Sequence, residues 1–322
     1  MRKSTILKIG IIGIVVALCL VAGFLLLNRW ENQTGRFPEQ ETAGAVVKYE
    51  GREYVLKDHL ETFLVLGLDK FDGTSGMDSY NNDKQADFLM LFVFDHDAKQ
   101  YTAIQINRDT MVDVNVLGVA GNRVDTVRQQ IALAHTYGNG KDVSCRNTAD
   151  SVSSLLFGMK VNHYISVTMD SVVVMNDLVG GVEVEILDDF SGIDDTLIRG
   201  ETVTLTGEQA LTYVRSRQGL EDSTNSARMQ RQKQYVRALY EAFCQRAAED
   251  EEFLINAMPS LSDYIISDRS VTQLQTLAEK SEEYEFTEIR DIGGESLLGS
   301  EWMEFHADEA SLWKTVIEVF YH

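Results

Sequence analysis

The chain has 322 residues and a formal net charge of −21 at neutral pH, with 50 acidic side chains against 29 lysines and arginines. Such a surface is soluble and repels nucleic acid and anionic lipid headgroups, which excludes a nucleic-acid partner. No internal repeat or long low-complexity tract is present, which excludes a repeat architecture.

The first predicted element is a membrane span. Arg2, Lys3 and Lys8 precede the uncharged run Ile9 to Leu27, 19 residues and long enough for roughly 30 Å of helix. Those cations place residues 1–8 in the cytoplasm and everything after Asn28 outside. A cleaved signal peptide is the rival, but its apolar region is normally about 7–15 residues and ends at a small-x-small site. Here the run is longer and closes on Phe24-Leu-Leu-Leu27. The expected location is the cell membrane, single-pass, with an extracytoplasmic C-terminal domain. Leaving out the three cations Arg2, Lys3 and Lys8, the exported part carries −24. Cys19 lies in the apolar run; Cys145 and Cys244 are exported and are either bonded or separately buried.

Residues 28–60 mix Gly, Pro, Gln and Glu and read as an extracytoplasmic spacer with one short strand over 48–55. Short apolar or alternating runs then predict strands at Phe63–Leu66, Asp87–Phe94 and Tyr101–Ile106. Helical spacing follows at 124–136 and 147–156. A strand is expected at 163–168, a helix at 171–178 and a strand at 182–186. Thr206-Gly-Glu-Gln209 is a capping box that opens a helix running to about Arg217. A second helix after Asn225 carries Arg228, Arg231 and Gln232, with Arg228 and Gln232 on one face. From about 247 the chain is acidic, and its apolar spacing reads as helices. Strands interleaved with helices predict an α/β fold, a sheet sandwiched by helices, over residues 61–322 with an acidic C-terminal extension.

The chemistry concentrates where predicted strands end. Asp69 follows the first strand, Asp87 opens the second, and Arg108-Asp109 close the third. Loops at strand ends are where α/β proteins gather ligand groups. Arg215, Arg217, Arg228 and Arg231 form a basic run in an acidic chain, and guanidinium groups suit bidentate contact with phosphate oxygens. Two carboxylates near arginines are what a Mg²⁺-assisted phosphate site needs, since the hard cation takes carboxylate and phosphate oxygens. Singly, Asp69 also reads as a loop cap and Arg108-Asp109 as a local ion pair. The six histidines show no H-E-x-x-H spacing, and no G-x-S-x-G elbow or P-loop occurs. His135, on an otherwise apolar face, reads as a satisfied core residue.

In order along the chain stand Phe63-Leu-Val-Leu-Gly-Leu-Asp69, Ala86-Asp87, Ile106-Asn-Arg108-Asp109, Ala134-His-Thr-Tyr-Gly138 and Val179-Gly-Gly-Val182. Leu205-Thr-Gly-Glu-Gln-Ala210, Arg215-Ser-Arg217 and Arg228 to Gln232 follow. With the N-terminal apolar run, this order and spacing resembles the LytR-CpsA-Psr family of bacterial cell-envelope proteins. The resemblance implies a membrane-anchored, Mg²⁺-dependent phosphotransferase. It would move an anionic glycopolymer from a polyprenyl-pyrophosphate carrier to peptidoglycan, forming a phosphodiester. It also implies an α/β core enclosing an apolar tunnel for the lipid tail. By motif position Asp69 and Asp87 match metal-associated carboxylates, and Arg108, Arg215, Arg217, Arg228 and Gln232 match pyrophosphate-binding groups. Of these, Asp87, Arg108, Arg215 and Arg217 are the expected catalytic residues.

Three positions depart from the family pattern. Gln85 and Gln130 stand where cations are usual, and Asn225 stands where an aspartate is usual. The two glutamines still donate hydrogen bonds and are expected at the pyrophosphate, but a neutral donor is worth roughly half a charge-assisted one. Lys84 and Arg128 are near enough in sequence to compensate. Two alternatives therefore stand beside transfer: a catalytically reduced polyprenyl-pyrophosphate-binding protein in envelope sensing or regulation, and a pyrophosphate hydrolase.

Overall fold

The computed structural model describes residues 46–69, 83–217, 219–220, 224–250, 253–270, 273–274, 277, 284–300 and 302–322. The expected anchor at 9–27 and most of the spacer lie outside these residues. Among the described residues no helix is long and apolar enough to cross a membrane. The described chain forms two compact units, one built from residues 46–166, 266–268 and 284–322, the other from 167–265 and 269–283.

The larger unit begins with the hairpin β1 (Val46–Tyr49) and β2 (Arg52–Val55), where one strand was expected. The turn between them uses positive φ at Glu50 and Gly51. Next come β3 (Leu60–Leu68), β4 (Ala86–Asp95) and β5 (Gln100–Ile106), the three apolar runs of the sequence. Both faces of these strands are largely buried, which is why β3 and β4 read as continuous runs, while β5 alternates, with Thr102 and Gln105 between its apolar residues. On one face Leu64, Leu66, Leu89, Leu91, Ile104 and Ile106 join a single core cluster. The other face carries Phe63, Phe92, Phe94 and Tyr101, with Phe63 edge-on to Phe94 at 5.9 Å and Phe94 stacked on Tyr101 at 5.3 Å.

The predicted helix at 124–136 is instead a strand and one 3-10 segment. β6 (Met111–Leu117) pairs antiparallel with β7 (Arg123–Gln130), and residues Ile131–Thr136 follow as a 3-10 helix. Val124, Val127 and Ile131 imitate helical spacing, but pairing with β6 decides the backbone. α1 (Asp142–Leu155) then packs Cys145, Ala149 and Val152 into the core cluster, and β8 (His163–Thr168) returns to the sheet.

In the smaller unit α2 (Asp170–Leu178), the two-stranded pair β9 (Val182–Glu185) and β10 (Thr202–Leu205), α3 (Gly207–Arg215), α4 (Asn225–Glu249) and α5 (Phe253–Leu261) follow in turn. Its interior holds buried polar links as well as apolar ones. Asn176 donates to the Leu205 carbonyl at 2.8 Å and accepts from Tyr235 at 3.2 Å, which ties three elements together.

The acidic C-terminal stretch holds strands that its composition conceals. β11 (Ile265–Ser267) and β12 (Glu285–Asp291) are the two edges of a six-stranded sheet ordered β11-β8-β3-β4-β5-β12. β12 runs parallel to β5, and an edge strand with one solvated face tolerates the charges of its sequence, EFTEIRD. β13 (Gly294–Leu298) and β14 (Met303–Ala307) form a hairpin, and α6 (Glu309–Phe320) buries Leu312, Val316, Ile317 and Phe320 in the core cluster. The last residues close a ladder on the segment after β2. Val55 and His322 exchange backbone hydrogen bonds of 3.0 Å, and the Lys57 amide donates to the Phe320 carbonyl at 2.9 Å.

Candidate functional site

Register places the larger unit's candidates at one end of its sheet. Leu68 at the end of β3 pairs with Ala86 at the start of β4, and Leu89 pairs with Ile106 at the end of β5. Asp69, Gln85, Asp87 and Arg108 therefore all sit at the same three strand ends. The pairing of Gly67 with Phe88 and of Leu68 with Ala86 leaves Asp87 as an extra residue on β4, a bulge. Bulges re-aim a side chain next to functional sites, and here the carboxylate of Asp87 meets the guanidinium of Arg108.

Arg108 is held on several sides. It contacts Asp87, donates to the Gln85 side-chain oxygen, and its Nε lies 3.5 Å from Asp109 Oδ1. The turn that presents it is fixed by Asn107, whose side chain accepts from the Asp109 amide at 2.9 Å while its carbonyl accepts from the Thr110 hydroxyl at 2.6 Å. The Arg108 carbonyl accepts from Ala132 at 3.1 Å, which fixes the start of the 3-10 segment. Gln130 donates to Asp109 at 3.1 Å and to the Met303 carbonyl at 2.6 Å, joining the site to the β13–β14 hairpin. Asp69 is exposed at the end of β3, and residues 70–82 after it lie outside the described residues.

Of the two candidate compensating cations, Arg128 goes elsewhere. Arg128 pairs with Asp113 at 3.3 Å on the exposed face of the β6–β7 hairpin. Lys84 is buried, and its carbonyl accepts from Nδ1 of His135 at 3.0 Å. A carbonyl only accepts, so Nδ1 carries the proton and Nε2 faces the Cys145 thiol at 3.7 Å. Burial pushes the His135 pKa down to about 4 and raises that of Cys145. His135 is thus a neutral core group, and Cys145 and Cys244 are not joined in a disulfide.

In the smaller unit the capping box forms as expected. Thr206 accepts from the Gln209 amide at 3.3 Å, and the Gln209 side chain accepts from the Thr206 amide at 3.0 Å. The helix it opens ends at Arg215 rather than Arg217, because Ser216 turns extended with ψ 136°. Arg215 is exposed and Arg217 half-buried. α4 is capped by Thr224, and in its first turn the buried Arg228 donates to the Asn225 side-chain oxygen. At that contact a neutral amide stands in for the family's carboxylate.

Arg231 and Gln232 brace the end of α3. Arg231 is fully buried; it donates to the Tyr213 carbonyl at 2.8 Å and to the Ser216 carbonyl, contacts Asp188, and lies over the Phe190 ring at 5.5 Å. Gln232 donates to the Val214 carbonyl at 3.2 Å. These are carbonyls that a helix C-terminus leaves without internal partners. α4 therefore fixes the direction in which the chain leaves α3 with Arg215 and Arg217. Asp188 and Asn107 were not singled out in the sequence, and Arg231, read there as part of the basic run, is instead a structural brace. For Arg231 the only signal was its place in the Arg228–Gln232 run, and helical periodicity does not say what lies opposite it.

Fold and site together define a mixed α/β protein whose central sheet is flanked by helices and ends in a braced arginine. The LytR_cpsA_psr family model matches residues 32–297, more than half of the chain. The chain belongs to that family. It is 26% identical over 242 residues to the polyisoprenyl-teichoic acid–peptidoglycan teichoic acid transferase TagU of Halalkalibacterium halodurans, covering 74% of this chain and 71% of the relative. The TagU of Enterococcus faecalis is 28% identical over 235 residues, covering 71% and 68%. Among solved structures, B. subtilis TagV superposes with a TM-score of 0.61 at 23% identity, covering 82% of this chain and 98% of that one. TagT bound to LI-WTA superposes with a TM-score of 0.60 at 19% identity, covering 81% and 90%; both likenesses concern the fold.

Proposed function

We infer that this protein transfers an anionic glycopolymer from a polyprenyl-pyrophosphate carrier to peptidoglycan, as a membrane-anchored phosphotransferase. The observation that carries the inference is Arg108, presented by an Asn107-based turn and gripped by Asp87, Gln85 and Asp109 at the sheet end. A guanidinium set this way by neighbouring side chains keeps its geometry when a diphosphate arrives, so little reorganisation is needed. Membership of the family and the similarity to the TagU transferases support the same reaction class. The apolar run 9–27 supplies the anchor in this reading and keeps the enzyme beside its lipid-borne donor.

In the transfer an acceptor hydroxyl forms the new P–O bond while the bond to the carrier phosphate breaks, and the carrier leaves with the electron pair. Arg108 counters charge on the phosphate oxygens, and the family resemblance implies the same role for Arg215, Arg217 and Arg228. Among the described residues no group of three or more His, Cys, Asp or Glu is placed to hold a metal ion. Mg²⁺ does not need one: it is bound through one or two carboxylates together with substrate phosphates and water. Asp69 and Asp87, hard oxygen donors on paired strand ends, fit that requirement, and the ion supplies charge neutralisation at the phosphates when bound.

A second reading is favoured by particular contacts. Gln130 already bridges Asp109 and Met303, Asn225 is the partner of Arg228 and Gln85 accepts from Arg108, so all three altered positions serve internal hydrogen bonds. That pattern fits a binder of the same lipid with reduced turnover. Full-length protein in vesicles, given a labelled polyprenyl-pyrophosphate glycan, Mg²⁺ and peptidoglycan, separates the cases. Transfer releases polyprenyl phosphate and labels peptidoglycan. Release without labelling means hydrolysis, and retention without release means a binder. Arg108→Ala should abolish the reaction; unchanged turnover in that variant sinks the assignment.

A further inference from the structure

The β13–β14 hairpin ends in an apolar tip on the rim of the site. Leu298 pairs with Met303 on its last rung, the Gly299 amide donates to the Trp302 carbonyl at 2.8 Å, and Leu297 sits one residue before Leu298. Leu298 is 76% exposed, Trp302 71%, Leu297 50% and Met303 39%. Four large exposed apolar side chains at one hairpin end are unusual on an acidic surface, and such clusters mark interaction sites. The base of the same turn is tied to the site, because the Met303 carbonyl accepts from Gln130, which also donates to Asp109.

We propose that this tip docks the protein on the bilayer interface beside the site, with Trp302 seated among the lipid headgroups of a zwitterionic membrane. The occupant follows from four observations. Tryptophan is the side chain whose apolar body and polar N–H best suit the headgroup boundary. Only 18 residues, 28–45, separate the apolar run from β1 of the same unit, a reach of at most about 60 Å, so the membrane is the apolar surface always within range. Glu301 falls within the tip's sequence and Glu295 and Glu304 on its flanks, and these charges disfavour an anionic lipid surface. The family match ends at residue 297, so Leu298, Trp302 and Met303 are a feature of this chain beyond it. Docked so, the tip holds the strand ends with Arg108 and Asp87 close to the headgroup layer, where a lipid-linked pyrophosphate lies. The inference rests on the anchored reading given above.

The test uses full-length protein in phosphatidylcholine vesicles with bromine-labelled acyl chains. Trp30→Phe, which removes the tryptophan next to the anchor, is compared with Trp30→Phe/Trp302→Phe. The expected result is a bromine-quenched emission component in the first that is missing from the second, and weaker when anionic lipid is added. Protein that floats with the vesicles while Trp302 stays unquenched and open to aqueous iodide overturns the docking and spares the anchor. Trp302 that is shielded only as protein concentration rises points to a second copy and also overturns it. Failure to float removes the anchor and the docking together. Leu298→Asp/Trp302→Asp should float unchanged yet lose roughly tenfold or more of turnover on membrane-embedded donor, the loss of about 1.4 kcal/mol of interfacial attraction. Turnover on a short-chain donor in detergent should be unaffected; equal loss on both donors overturns the proposal.

Discussion

Arg231 and Arg215 are sixteen positions apart in one basic run and do opposite things. Arg231 is buried against Asp188 and two carbonyls of the α3 end, whereas Arg215 is exposed. Removing one partner of a buried pair leaves the other charge uncompensated, so Arg231→Ala should destabilise by about 3–5 kcal/mol in denaturant titrations. Lysine cannot reproduce the fork to two carbonyls and should rescue little of it. Arg215→Ala should change stability by no more than about 0.5 kcal/mol while weakening capture of the pyrophosphate donor. Equal destabilisation by both would mean that Arg215 is a structural residue.

His135 gives a pH dependence whose sign is fixed by burial. Its folded pKa lies at about 4, below the unfolded value of about 6.5, so between those values the unfolded chain binds more protons. Its share of stability is complete above about pH 6.5 and is lost as pH falls toward about 4, an amount on the order of 3 kcal/mol. His135→Gln should flatten that part of the profile in denaturation midpoints compared at pH 7 and pH 4.5. An unaltered slope in the variant would assign the loss to other groups.

At the level of elements, the capping box of α3 is a local device with a local magnitude. Thr206→Ala should cost about 1 kcal/mol by chemical denaturation, and a negligible change would mean that the helix start is held by tertiary contacts alone. This helix was legible in the sequence because Thr206 and Gln209 carry their own signal, β3 and β4 were legible because both their faces are apolar, and β5 because its residues alternate. β7 and β12 were not. Val124, Val127 and Ile131 follow a helical interval while the chain pairs with β6, and β12 owes its conformation to β5, almost two hundred residues away in sequence. The site shows the same division. Strand ends pointed to Asp69, Asp87 and Arg108, whereas the bulge that sets Asp87 apart is a property of register. The bracing of α3 by Arg231 and Gln232 depends on what one helix meets, which its own periodicity does not encode.

For the molecule as a whole, the two compact units are stabilised by apolar cores and buried hydrogen bonds, with no cluster of metal ligands among the described residues. Chelating Mg²⁺ should therefore halt the proposed transfer and leave the thermal midpoint unchanged. A large drop in midpoint on chelation would instead make the ion structural. In the proposed function a strongly acidic exterior is compatible with phosphate binding because Arg108 and Arg228 are withdrawn from solvent rather than displayed on it.

The ladder between residues 55–57 and 320–322 bears on how force enters the protein. In the anchored reading, a tether ahead of β1 loads a hairpin whose second strand is tied through Val55 and Lys57 to residues 320–322, and several backbone hydrogen bonds must break together before load reaches the sheet. Deleting residues 321 and 322 would open that zipper one rung at a time, so in that reading the folded part would resist pulling along its anchor less well while the contacts around Arg108 stayed intact.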